Sequence, residues 1–179
     1  MLAKVEFIVL PYASCEGRSI LDVLVEELQS KQWNYFRAAI AFVKESGLFD
    51  DLLRAMQDFL QEGGHIELTS GADEFRGNTR GSDLGAIKRL LETFGEAPNA
   101  KLYLYHEAGR TFHPKIYLFS NEDSKKALMI IGSSNLTEGG LIDNVEACVV
   151  VHFDLSKGEH RDNFDKIKGF FETYWTENP

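Results

Sequence analysis

Short runs of strand-type residues alternate with runs of helical period along this 179-residue chain. That alternation restricts the possible folds more than any other feature. Residues 5–10 are an apolar run of strand length. Over 19–31, Ile20, Leu21, Leu24, Val25 and Leu28 recur at helical spacing. An aromatic, β-rich run follows at 35–43. Over 46–61, Leu48, Leu52, Met56, Phe59 and Leu60 line one side of an amphipathic helix, and Gly63 and Gly64 end it. A strand is expected at 65–70 and a polar, glycine-rich loop at 71–81. Ser82 is the expected N-cap of a helix carrying Leu84, Ile87, Leu90, Leu91 and Phe94. Four further strands are expected at 101–105, 112–119, 127–131 and 145–153, with 120–126 as a hairpin connection. A helix over 160–175 closes the chain. The pattern predicts an α/β fold: a mixed central sheet with helices on both faces, built as one domain over 1–179. Ending four residues past Trp175, it suits a free-standing protein or the N-terminal module of a longer one.

Hydrophobic residues make up 44% of the chain, enough to bury a core and too many for a disordered one. Cys15 and Cys148 lie far apart, which excludes a disulfide framework and a zinc-ligand spacing and suits a reducing, cytoplasmic setting. The apolar N-terminus is short and carries charge, unlike a signal peptide. No stretch approaches the roughly 18 apolar residues of a membrane span. A net charge of −9 argues against a general polyanion binder. The stretch 75–115 nevertheless holds seven Lys/Arg against four Asp/Glu, a net of +3, leaving −12 on the remainder.

Three features fall in order within that frame: His113-Pro114-Lys115, Gly132-Ser133-Ser134-Asn135, and Glu146. Residues two apart on a strand face the same side, so His113 and Lys115 set an imidazole beside an ammonium. An imidazole can attack phosphorus or shuttle protons near neutral pH. A lysine supplies fixed positive charge for non-bridging phosphate oxygens. Ser133 and Asn135, also two apart, can donate hydrogen bonds to the same oxygens, and Gly132 permits a close or bent backbone. Glu146 interrupts an apolar strand; the natural partner of such a carboxylate is an imidazole N–H. The loop arginines Arg76, Arg80 and Arg110 flank the motif and suit contacts to a phosphate backbone.

This ordered set resembles the phospholipase D superfamily signature, H-x-K-x4-D-x6-G-S-x-N with a trailing carboxylate. The resemblance is carried by His113, Lys115, Gly132, Ser133, Asn135 and Glu146. The signature aspartate would fall at Ser120, and the spacing from Lys115 to Gly132 exceeds the pattern. This relaxed form resembles the nuclease branch, including restriction enzymes. The loop-to-helix stretch 70–91, followed by Phe112-His113-Pro114-Lys115, resembles modules fused to DEAD/DEAH-type helicases. The resemblance implies a two-step phosphodiester hydrolysis through a phosphohistidine, with His113, Lys115, Ser133, Asn135 and Glu146 catalytic and no metal or cofactor. It implies DNA ahead of RNA as substrate. It also implies a homodimer, because two histidines are needed and the chain offers one His-x-Lys. A fused or associated helicase or restriction module is the further partner implied; a membrane is not.

Two other readings remain open on the residues. One is a phospholipid or small phosphodiester hydrolase. The other is a catalytically silent dimerisation or nucleic-acid-binding module that keeps the fold.

Overall fold

The computed structural model describes residues 4–11, 17–72 and 81–175, the side chain of Tyr174 apart. Seven strands form one sheet in the order β1-β7-β6-β5-β2-β3-β4. These are β1 (Lys4–Leu10), β2 (Tyr35–Ile40), β3 (His65–Gly71), β4 (Ala100–Tyr105), β5 (Lys115–Asn121), β6 (Lys126–Gly132) and β7 (Glu146–Asp154). β2, β3 and β4 run parallel, linked by α2 (Asp50–Gln61) and α3 (Leu84–Phe94) as crossovers. The other pairings are antiparallel. A parallel connection needs a crossover of about a dozen residues, and the two amphipathic segments provide it.

Alternation along the strands divides the core in two. Ile8, Phe36, Ile40, Leu68, Phe119, Leu128, Ile130 and Val150 meet α1 (Ile20–Gln29), α2 and α3 on one face. Ala39, Leu118, Met129 and Phe153 meet Phe164 and Phe171 on the other, beneath α4 (Gly158–Phe170) and a final π-turn, Phe171–Trp175. Helices thus cover both faces, as the alternation requires.

Several expected boundaries move, each for a local reason. β2 stops at Ile40 because the next residue in register, Pro114, accepts from the Ala41 N–H at 2.8 Å but has no N–H to return. The helix expected from 46 begins at Asp50, preceded by one 3-10 turn, Glu45–Gly47. Asp83, not Ser82, is the N-cap of α3. The Ser82 hydroxyl is taken up elsewhere: it accepts from the Val43 N–H at 3.1 Å and pairs with Ser70 Oγ at 2.6 Å. β5 begins at Lys115, so His113 precedes the strand instead of lying in it. The 120–126 hairpin is present, with Lys125 in the left-handed region at φ +57°. A π-turn over Gly139–Asp143 carries no apolar period and was not visible in the sequence.

Candidate active site

The sheet topology gathers the motif residues at one end. The start of β5, the end of β6 and the start of β7 meet there because the three strands are consecutive antiparallel neighbours. The end of β2 reaches the same edge, as β2 runs antiparallel to β5.

His113 is exposed and Lys115 is buried. The Lys115 ammonium lies 3.0 Å from His113 Nδ1 and 3.1 Å from Nε2, and donates to the His113 carbonyl at 3.2 Å. The expected pairing of the two groups therefore holds although His113 lies outside the strand. Burial lowers the Lys115 pKa from the ordinary lysine value, and the negative charge of Glu146 opposes that shift.

The loop after β6 is held from beneath by Ser134, which is buried. Its carbonyl accepts from the Tyr117 hydroxyl at 3.2 Å, and its Oγ accepts from the Cys148 thiol at 3.1 Å. Burial raises the Tyr117 pKa far above the ordinary phenol value, with Cys148 and Glu146 adding to the rise, so Tyr117 stays a neutral donor. With Ser134 fixed inward, Ser133 and Asn135 flank it. Ser133 Oγ accepts from the Ala147 N–H at 3.1 Å, leaving its own proton to donate. Asn135 Oδ1 accepts from the Phe42 N–H at 3.1 Å, which leaves the amide NH2 as a donor. Gly132 is required by contact: a Cβ there would collide with the Ala147 carbonyl and approach Cys148 Sγ to 2.6 Å.

Glu146 opens β7, half-buried, and accepts from Asn144 Nδ2 at 3.3 Å. Its hydrogen-bond partner within this chain is thus an amide and not the expected imidazole. Arg110 lies on the turn leading to His113, exposed, with its guanidinium 3.0 Å from Glu107. Arg76 and Arg80 lie outside the described residues.

Phe42 belongs to this geometry and no motif announced it. Its ring meets His113 edge-on at 5.8 Å and lies 6.0 Å from Lys115 Nζ. Its N–H sets Asn135, and its carbonyl accepts from Leu136 N at 3.2 Å. The one trace in the sequence is an aromatic at the tail of the run 35–43. Among the described residues no three His, Cys, Asp or Glu gather as a metal-ion site.

An imidazole beside a buried ammonium, with a hydroxyl and an amide donor at the same end of the sheet, suits an anionic tetrahedral group such as a phosphodiester. Residues 24–168 match the family described as cardiolipin synthase, PLD-like domain, and the chain belongs to this phospholipase D-like family. The fold is similar to NucT from Helicobacter pylori, with TM-score 0.62 at 16% identity over 96% of this chain and 97% of that one. It is also similar to Nuc from Salmonella typhimurium, with TM-score 0.58 at 15% identity over 95% of each chain. Phosphatidylserine synthase of Haemophilus influenzae Rd KW20 gives TM-score 0.61 at 14% identity, over 96% of this chain and 39% of that one. A search of curated proteins by sequence returned no match.

Proposed function

We propose that the chain is a metal-independent nuclease that hydrolyses DNA, ahead of RNA, through a phosphohistidine at a homodimer interface. The observation that carries this reading is the contact of Lys115 Nζ with the His113 ring at 3.0–3.1 Å, beside the free donors of Ser133 and Asn135. In the first step a ring nitrogen of His113 attacks phosphorus. The P–O bond to the leaving group breaks as the partner's His113 gives that oxygen its proton. In the second step water attacks phosphorus and loses a proton to the partner's His113, and the P–N bond breaks. Lys115, Ser133 and Asn135 hold the equatorial oxygens throughout, with Arg76, Arg80 and Arg110 as contacts to the flanking backbone. Glu146 stabilises the imidazolium that forms opposite the attacking ring.

The dimer has a second support. Phe7, Val149, Ile131 and Ile116 lie in register across β1, β7, β6 and β5 as one apolar row on the face that α4 covers elsewhere. Phe7 is 66% exposed, and Val145, next to Glu146 and four residues before Val149, is 71% exposed. Exposed apolar rows of this kind mark interaction surfaces. The occupant we assign is a second copy, because the mechanism needs two histidines at the phosphorus and one chain offers a single His-x-Lys.

The test is hydrolysis of DNA in excess EDTA beside a His113→Ala control. Cleavage should persist in EDTA and vanish in the variant. Activity lost to EDTA and restored by Mg²⁺ would overturn metal independence. The lipid reading retains one support, the family description's reference to cardiolipin synthase. Turnover of phosphatidylcholine vesicles without cleavage of DNA would favour it.

A further inference from the structure

At the end of the sheet opposite the catalytic motif lies a groove of about 610 Å³. It is bounded by the start of β1, the β5–β6 turn, the end of β7 and the segment after α1. Four lysines line it, Lys4, Lys125, Lys126 and Lys157, against two carboxylates, Glu27 and Asp154, a balance of 4 − 2 = +2 on a chain of net charge −9.

Both carboxylates are already engaged. Glu27 accepts from Trp33 Nε1 at 2.7 Å. Asp154 accepts from the Ser156 hydroxyl and N–H and faces Lys157 at 2.9 Å, and these bonds hold its carboxyl well below the usual range. Lys4 is likewise occupied, 2.7 Å from Glu6. Lys125 and Lys126 form no ion pair among the described residues. With Lys4 and Lys157 paired, their two ammonium groups outnumber the one remaining charge, that of Glu27 on the neutral indole, at a concave surface that also carries the half-buried Trp33. Cationic side chains beside an aromatic platform suit a phosphate backbone with a base laid on the ring. A single phosphate would need only one such charge; two adjacent lysines and an aromatic fit a strand.

We propose that this groove is a second binding site, holding the phosphate backbone of a nucleic-acid strand remote from the bond that is cut. Lys125 and Lys126 are its cationic contacts and Trp33 its stacking surface. The inference rests on the nuclease reading above and adds a place for the rest of the substrate. Lys126 and Gly132 stand at the two ends of the seven-residue strand β6, about 20 Å apart at the usual rise of a strand. A small diester bound at His113 cannot reach the groove, whereas a polymer several nucleotides long can.

The test compares wild type with Lys125→Glu/Lys126→Glu on two substrates, bis(4-nitrophenyl) phosphate and a DNA strand of about 40 nucleotides. The small diester should be hydrolysed equally by both, within about twofold. KM for the strand should rise about tenfold, and the slope of log affinity against log salt should shrink by about 1.4, two contacts at about 0.7 each. Lys101→Glu/Lys166→Glu makes the same charge change on exposed lysines elsewhere. An equal effect from that pair, or an unchanged KM for the strand, would overturn the groove. If wild type cleaves neither substrate, the nuclease reading falls, and anisotropy of a labelled strand then decides the groove alone. Weaker binding by the Lys125/Lys126 variant than by the control pair supports it; equal binding overturns it.

Discussion

Lys115 keeps its ammonium where only 8% of the residue meets solvent, and burial pulls its pKa below the ordinary lysine value. The sign of the consequence follows. A native state that binds this proton less readily than the unfolded chain gains stability as pH rises through the interval between the two pKa values, and carries the charge at a cost below it. Lys115→Met should therefore raise the melting temperature, by about 2–4 °C for each 1 kcal/mol relieved. Turnover should fall at least about 10²-fold as the phosphate loses its cation. A lower melting temperature would mean that the bonds to His113 outweigh the burial. Phe42 poses a different question, since its backbone sets Asn135 while its ring meets His113 at 5.8 Å. Phe42→Leu preserves the backbone bond and removes the aromatic edge. We expect kcat to drop several-fold with KM little changed, because the ring acts on the attacking imidazole and not on substrate binding. An unchanged kcat in steady-state assays would reduce Phe42 to packing.

Among the elements, β1 is an edge strand, paired among the described residues with β7. Glu6 gathers Lys4 at 2.7 Å, His152 Nε2 at 2.9 Å and Arg18 at 3.5 Å. The hydrogen bond from Lys4, with smaller help from His152 and against some burial, lowers the Glu6 pKa. A depressed carboxyl pKa gives stability that is present above the ordinary glutamate value and lost as pH falls through the folded one. Glu6→Gln should thus speed hydrogen exchange in β1 and in its β7 partners at neutral pH, and leave the centre of β5 protected. Uniform exchange across the sheet would show that backbone pairing alone holds the edge. The strand itself was plain in its apolar run. Its dependence on Glu6 was not, since His152 lies 146 residues away.

At the scale of the whole molecule the decisive quantity is the number of chains per site. Mixing His113→Ala with wild-type chains under exchange should lower activity as the square of the wild-type fraction, since each composite site would need both imidazoles. A linear fall, or full activity from a monomer in sedimentation analysis, would place the second acid elsewhere in the same chain.

The sequence by itself determined the layered α/β architecture, because strand and helix periods are local properties of side-chain order. It also singled out His113, Lys115, Ser133, Asn135 and Glu146 as candidates, by residue type and, for the first four, by a spacing of two within each pair. Only the tertiary structure decided what those groups touch. It set Glu146 on Asn144 within the chain, turned Ser82 from a helix cap to a bond with Val43, and brought Phe42 to Asn135, 93 residues apart. It also left Phe7 and Ile131 exposed on one apolar row of the sheet and, at another place, two lysines with no ion pair among the described residues. These depend on which strands lie side by side. Strand order in a sheet follows from packing and crossover connections over the whole chain, and no local window of residues encodes it.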